Sequence, residues 1–166
     1  DIYCIPVSED HNHLGWLRWM NNAEVVRHLS SPRLTYTEDH LKMYLRSSNS
    51  LCFFACYTQA AVYFVNLRIY RIGKTSLPFG RLLGEEKYRG VGYGTKLSSL
   101  ALNFCLDYLK FDCVIVGNEV SNKASSLSKI KSGFSIADGE LLKDQGIEIL
   151  PSVEFFYVSG SQFRKT

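Results

Sequence analysis

The sequence predicts an α/β fold of the α+β kind: a central mixed, mostly antiparallel sheet of about seven strands with four helices. Three observations carry the prediction. Two runs rich in Val, Ile and aromatic residues, "SLCFFACY" (50–57) and "AVYFVNLRIYRI" (61–72), meet across a short polar break and read as a hairpin. Helical patterns stand before this β-rich centre, and two more strand-like runs close the chain. Between them, the glycine-rich stretch "RGVGYG" (89–94) opens a long apolar helix that leads into the compact run "FDCVIVGN" (111–118). The order is β, α, α, β, β, β, α, β, α, β, β on a single domain over residues 1–166, a length that one core can serve.

Each element has its own local reason. "IYCIPV" (2–7) is a short opening strand that Pro6, lacking an N–H, confines to an edge or to the strand's end. Ser8 suits a helix N-cap, with Glu9 and Asp10 in the first turn where carboxylates favour the helix dipole. In "EDHNHLGWLRWMNN", Leu14, Leu17 and Met20 recur every third residue and Trp16 and Trp19 widen the stripe; a helical turn follows at "AEVVRHL". Thr37 marks the start of a second helix with Leu41, Tyr44 and Leu45 on one face. "TSLPFGRLLG" (75–84) reads as a third central strand, in which Pro78 and Gly80 weaken the ladder and suggest a bulge or splay.

The second half continues with a helix over about 93–109 and a buried strand over 111–118, expected to be parallel because a helix precedes it. "NKASSLSKIKSG" (122–133) is a helix that Gly133 ends as a left-handed cap. "FSIADGELL" and "SVEFFYVSG" are expected as two last strands in a closing hairpin.

Composition narrows the partners. Nineteen Lys and Arg against sixteen Asp and Glu leave a net charge of +3, too weak and dispersed for nucleic acid but suited to a small polyanion. Cys4, Cys52, Cys56, Cys105 and Cys113 lie in apolar runs, are odd in number and show no metal-ligand spacing. They are expected to be reduced core thiols, with no metal bound, in a cytoplasmic protein. No run approaches the roughly 20 apolar residues of a membrane span, and "DIYCIPVSED" lacks signal-peptide features, so no membrane partner is expected.

The glycine loop carries the chemistry. Glycines at 90, 92 and 94, ahead of a helix, permit positive φ and expose main-chain N–H groups beside the positive end of the helix dipole, which makes an anion site; a plain tight turn is the bland alternative. The P-loop pattern fails, because no glycine stands at the upstream position and Leu97 follows Lys96. The dinucleotide pattern fails too, since the spacing is GxGxG.

"RGVGYG" fits R/Q-x-x-G-x-G/A, and "NKASSLSKIKSGF" (122–134) has the form of an Asn-x-x-Ala/Ser helix closing on Gly-Phe. With the opening "IYCIPVSEDHNHLGWLRWMNNAEVVRHL", these segments resemble the GCN5-related N-acetyltransferase (GNAT) superfamily over almost the whole chain, in particular its ribosomal-protein and amino-sugar acetyltransferase branches. The resemblance implies a sheet splayed between strands 4 and 5, acetyl-CoA as cosubstrate and no metal. Coenzyme contacts fall on Leu83, Arg89, Gly90, Val91, Gly92, Tyr93, Gly94, Thr95, Asn122 and Ser125, with the pyrophosphate on the N–H groups of 89–94. The pantetheine arm is expected between the strand ending at Leu83 and the strand at 112–117, and the Leu83 N–H would contact the oxyanion. Asn122 and Ser125 serve equally well as N-cap and first turn; Lys123, Lys129 and Lys131 suit the coenzyme's phosphate or a solvated face.

The resemblance also exposes departures. Relatives commonly carry a basic Glu near the place Pro78 holds and an acidic Tyr where this chain has Lys129, so Lys129 stands as the catalytic candidate by position alone. Val65 replaces a frequent Gly and Ser128 a Leu-rich neighbour. Arg81, Glu85, Glu86 and Tyr157 are the other ionisable candidates, and Trp19, Asn21, Arg33 and Arg81, with Trp16, fall where the acceptor pocket is shaped, although both tryptophans also suit a core.

A lysine-like amine is neutral in only about one molecule in 10³ at neutral pH, so direct attack in a ternary complex needs a base, a water chain or a desolvating pocket. The expected function is therefore acetyl transfer from acetyl-CoA to a primary amine, an amino sugar or other small amine foremost. A protein N-terminus is the alternative acceptor, and a homodimer is compatible with either. A non-catalytic acyl-CoA-binding module, motivated by Pro78 and Lys129, is the alternative of another class.

Overall fold

The computed structural model describes residues 1–8, 14–29, 35–47, 50–70 and 78–163, which form two compact units. One comprises 1–69 and 80–89, the other 70–79 and 90–166. Among the described residues there are seven strands and seven α-helices, three of the helices having six residues or fewer.

In the first unit, strand β1 (Ile2–Pro6) pairs antiparallel with β2 (Ser50–Thr58), and the sheet continues through β3 (Tyr63–Tyr70) to β4 (Phe79–Leu83). Pro6 ends β1 at the sheet's edge, as its missing N–H requires. Helices α1 (Leu14–Met20), α2 (Ala23–Val26) and α3 (Glu38–Ser47) accompany the strands. Thr37 caps α3, its Oγ accepting from His40 N at 3.4 Å. One core cluster of this unit is Trp16, Trp19 and Leu41, with Phe53, Tyr63 and Leu82 packed against it. Burying such side chains is worth about 1.5–3 kcal/mol each, which holds three short helices to the sheet.

Two expectations fail here. Cys4 and Cys56 face each other across the β1–β2 ladder, Cα atoms 4.1 Å apart, and are joined by a disulfide; Cys52, Cys105 and Cys113 are free. Residues 52 apart in sequence give no spacing signal, and only strand register brings them together. Pro78 lies just before β4 rather than within it, its carbonyl accepting from Tyr70 N at 3.2 Å. The Ser8 cap with Glu9 and Asp10, and the first part of the 75–84 strand, fall on or beside residues outside the described ones.

In the second unit, α4 (Tyr93–Asn103) runs into a π-helical segment (Phe104–Tyr108) and is followed by β5 (Cys113–Glu119), α5 (Lys123–Lys131), β6 (Ser135–Ile136), α6 (Gly139–Asp144), β7 (Val153–Ser159) and α7 (Gly160–Phe163). Leu97, Ala101 and Leu102 are fully buried and set the inner face of α4. The sheet order is β5-β7-β6, so β4 and β5 belong to different sheets.

Strand β5 is antiparallel to β7, from Cys113 opposite Ser159 to Glu119 opposite Val153, and not the parallel strand expected. Its buried run Cys113–Val116 reports two covered faces, which says nothing about direction. The closing hairpin is also corrected: β6 has only two residues, and the "GELL" segment forms α6 instead of a strand. Asp138 caps that helix by accepting from Leu141 N at 2.7 Å, while Leu142 joins Cys113, Ile115 and Ile147 in the local core. Among the described residues no helix is long and apolar enough to cross a membrane.

Candidate functional site

The glycine loop is built by the main chain. After β4 a 3-10 turn (Glu86–Tyr88) brings the chain to Arg89, whose backbone is extended. Gly90 then takes φ +74° and Gly92 φ +93°, both in the left-handed region, and Gly92 is the N-cap of α4. L-residues pay for that conformation, which is why glycine stands at both places. Nothing lies within 4 Å of where a Cβ would sit on either, so the space over the loop is open, and Val91 between them is 63% exposed.

The helix ladder begins with Lys96 N donating to Gly92 O at 3.1 Å. Ahead of that bond, the first-turn N–H groups of a helix point out of its end, where the dipole concentrates positive potential. No acidic residue stands in the first turn of α4. An exposed helix N-terminus with two open left-handed glycines and no competing carboxylate fits a phosphate-bearing ligand.

Arg89 is half-buried, and its Nη2 reaches back to the Leu83 carbonyl at 3.4 Å. That bond ties the loop's first residue to the end of β4 and leaves the remaining guanidinium N–H donors for an anion. Next to Leu83, Gly84 donates to Phe64 O at 3.0 Å and lies against the Trp19 ring. Glu85 accepts from Trp19 Nε1 at 2.9 Å and from Arg18, so its carboxylate is already committed within the structure.

The second signature forms α5. Asn122 is its N-cap, accepting from Ser125 N at 3.2 Å. At the other end Gly133 has φ +90° and Phe134 N donates to Lys129 O at 3.1 Å, the left-handed closure expected from Gly-Phe. Ser132 Oγ donates to the Thr95 carbonyl at 3.2 Å, which ties the end of α5 to the first turn of α4. Lys123 and Lys131 are exposed, but Lys129 is 4% exposed, against the expectation of a solvated face. The helix register turns it inward with Ser126, so its ammonium donates to Asn118 and to Ser125 Oγ at 3.0 Å. Asn118 and Glu154, which belong to this polar group, carried no signal in the sequence: a single Asn or Glu on a strand looks the same whether it is a surface residue or a buried partner.

The remaining candidates are dispersed. Trp19 is 2% exposed and belongs to the core, not to a pocket wall, because its indole fills the space that Gly84 leaves; Trp16 is 4% exposed in the same cluster. Asn21 holds Tyr36 from both sides, donating to its carbonyl at 3.0 Å and accepting from its N–H at 2.8 Å. Arg33 lies outside the described residues. Arg81 is half-buried, and desolvation lowers its guanidinium from the ordinary arginine range to about 10. Glu86 is exposed; Tyr157 is half-buried opposite Ile115 and Ser135. Among the described residues no cluster of His, Cys, Asp or Glu is arranged to hold a metal ion.

No protein-family model and no curated protein sequence matches the chain. Solved structures do. An aminoglycoside acetyltransferase in complex with coenzyme A and kanamycin superposes with a TM-score of 0.80 at 12% identity, over 100% of this chain and 99% of that one. A spermidine N-acetyltransferase from Vibrio cholerae, in complex with coenzyme A and spermine, does so at 0.73 and 15% identity over 98% of each chain. A GNAT-family acetyltransferase from Bacillus anthracis gives 0.76 at 10% identity, over 96% of this chain and 95% of that one.

Proposed function

We propose, from the premise that the chain has the GNAT acetyltransferase fold over its full length, that residues 1–166 act as one acetyl-CoA-dependent N-acetyltransferase of small primary amines. The single observation that carries this reading is the loop of Gly90 and Gly92, left-handed, exposed and open above, at the start of α4. A likeness of fold alone would leave the ligand open; a loop suited to phosphates at this place in that fold supports coenzyme A.

The residues present fit the coenzyme. The main-chain N–H groups of residues 89–94, through Gly90, Val91, Gly92, Tyr93 and Gly94, would bind the pyrophosphate, Arg89 would add a charge-assisted contact, and Thr95 would donate its hydroxyl. Asn122 and Ser125 would hold the pantetheine arm, and the Leu83 N–H would face the developing oxyanion. When bound, acetyl-CoA would supply an activated acyl group: as the amine's C–N bond formed and the C–S bond broke, the leaving thiolate would gain, through the proton acceptor, the proton that the amine loses.

The chain's task is then to orient the amine and keep it neutral. Pro78, at the place of the usual base, cannot take a proton, and Glu85 is occupied by Trp19 and Arg18. Lys129 at the place of the usual acid is a cation donor, not a phenol. We therefore expect water or the acceptor's own second amine to take the proton, which favours polyamines and amino sugars over a protein N-terminus. Among the structural neighbours, the acetyltransferases above were solved with kanamycin and with spermine.

The test is acetyl-CoA turnover followed by thiol release across a panel of amino sugars, polyamines and N-terminal peptides, with coenzyme affinity measured by calorimetry. Thiol release with a small amine is the expected result. Tight coenzyme binding with no thiol release across the panel would convert the reading to a coenzyme-binding module, which Pro78 and Lys129 also suit; no coenzyme binding would overturn both.

A further inference from the structure

The buried polar group around Lys129 has a direction. A lysine ammonium can only donate. Lys129 Nζ donates to Asn118 Oδ1 and, at 3.0 Å, to Ser125 Oγ, with the Phe156 ring centroid 5.1 Å away. Because Asn118 Oδ1 faces the ammonium, its Nδ2 must face the other way, and it donates to Ser126 Oγ at 3.2 Å and to the Glu119 carbonyl at 2.9 Å. With an N–H already pointing at it, Ser126 Oγ donates onward to Glu154 Oε2 at 2.9 Å, the nearer of its two acceptors, the Asn122 carbonyl lying at 3.4 Å. A cation and a carboxylate are thus joined by two neutral groups whose hydrogen bonds all run the same way, and Lys129 and Ser126 are 4% and 7% exposed. Such chains polarise their members and resist partial disruption.

The consequence falls on Ser125, which is half-buried in the first turn of α5. Its Oγ accepts from Lys129, and among the described residues nothing takes its hydroxyl hydrogen. A serine whose oxygen is held by a cation is committed to donating elsewhere. We propose that Lys129 is a positioning residue of the coenzyme site: it commits the Ser125 hydroxyl to donate to an acceptor atom of the pantetheine arm, and Glu154 holds Lys129 for this through Ser126 and Asn118. The inference rests on the coenzyme reading above. It also gives a reason for a buried lysine at this place that needs no proton transfer from it.

The experiment is a double-mutant cycle on the full chain, read by calorimetry with coenzyme A and, separately, with the coenzyme's nucleotide fragment, which carries its phosphates but no pantetheine. Ser125→Ala and Lys129→Met each weaken coenzyme A about tenfold, and the double variant is no weaker than either alone. Glu154→Gln weakens it about threefold. All variants bind the nucleotide fragment as the parent does, which a merely structural loss would not allow. Losses that multiply in the double variant, unchanged coenzyme affinity in Lys129→Met, or equal losses for the fragment would overturn the proposal. Should Lys129→Met fail to melt cooperatively, the contrast between coenzyme and fragment in Ser125→Ala and Glu154→Gln decides it in the same way. If the parent protein itself fails to bind coenzyme A, the coenzyme reading has failed, and this proposal with it.

Discussion

Gly84 gives up the space that Trp19 fills: a Cβ on Gly84 would fall inside the indole ring. The tryptophan so placed donates from Nε1 to Glu85, and Arg18 pairs with the same carboxylate. A packing contact in the core thereby fixes the chain immediately before the 3-10 turn and the glycine loop. Gly84→Ala is expected to cost about 3 kcal/mol, at the upper end of overpacking, because backbone and a buried ring must both move. Denaturant unfolding measures it, and a loss below about 0.5 kcal/mol would contradict this packing.

Gly92 and Gly133 offer a matched pair. Both hold φ near +90°, and neither Cβ position has a neighbour within 4 Å. Replacing either by valine should cost about 1–2 kcal/mol of stability from the left-handed backbone alone. Only Gly92→Val should abolish coenzyme binding, since only Gly92 opens α4. Equal affinities in the two variants would remove the loop from the site.

Reduction of the Cys4–Cys56 disulfide removes a constraint between residues 52 apart in sequence. The chain-entropy estimate for a loop of that length is about 4 kcal/mol, so reduction or Cys56→Ser should lower stability by roughly 2–4 kcal/mol. Thiol titration of the unfolded, unreduced protein should find three thiols, belonging to Cys52, Cys105 and Cys113. Five thiols would show that the pair is not formed.

Tyr63 should govern part of the alkaline stability. Desolvation raises its phenol well above 10, its hydrogen bond to Asn66 opposes this, and nearby Tyr57 adds to it. The folded state thus holds its proton more tightly than the unfolded state, whose tyrosine ionises near about 10. The contribution is whole below that pH and is lost as pH rises through it toward the folded value. Tyr63→Phe should cost about 1 kcal/mol at neutral pH, because Asn66 is 4% exposed, its Nδ2 has no partner among the described residues, and its Oδ1 would lose its own. The gap between parent and variant should narrow above about pH 10 in urea unfolding; a gap that stays constant would contradict the raised phenol.

Local backbone chemistry was readable in advance. Positive φ at Gly90, Gly92 and Gly133, the caps at Thr37 and Asn122, and the run of α4 each depend on a few adjacent residues, and each stands where the sequence puts it. The α6 helix was also legible, since Asp138 before "GELL" and Gly146 after it are ordinary start and stop signals; the β-like "FSI" ahead of them obscured it. The parallel reading of β5 failed for a different reason, because burial on both faces does not encode direction.

What the sequence determined by itself is the glycine loop and the order of elements around it, because φ preference, capping and hydrophobic period act over one or two turns of chain. Tertiary structure decided which residues surround them. It took Trp19 into the core, joined Cys4 to Cys56, and turned Lys129 inward to a polar chain that reaches Glu154. Those outcomes depend on strand register and helix rotation between segments tens of residues apart, where the same lysine costs nothing at the surface and must find every partner when buried.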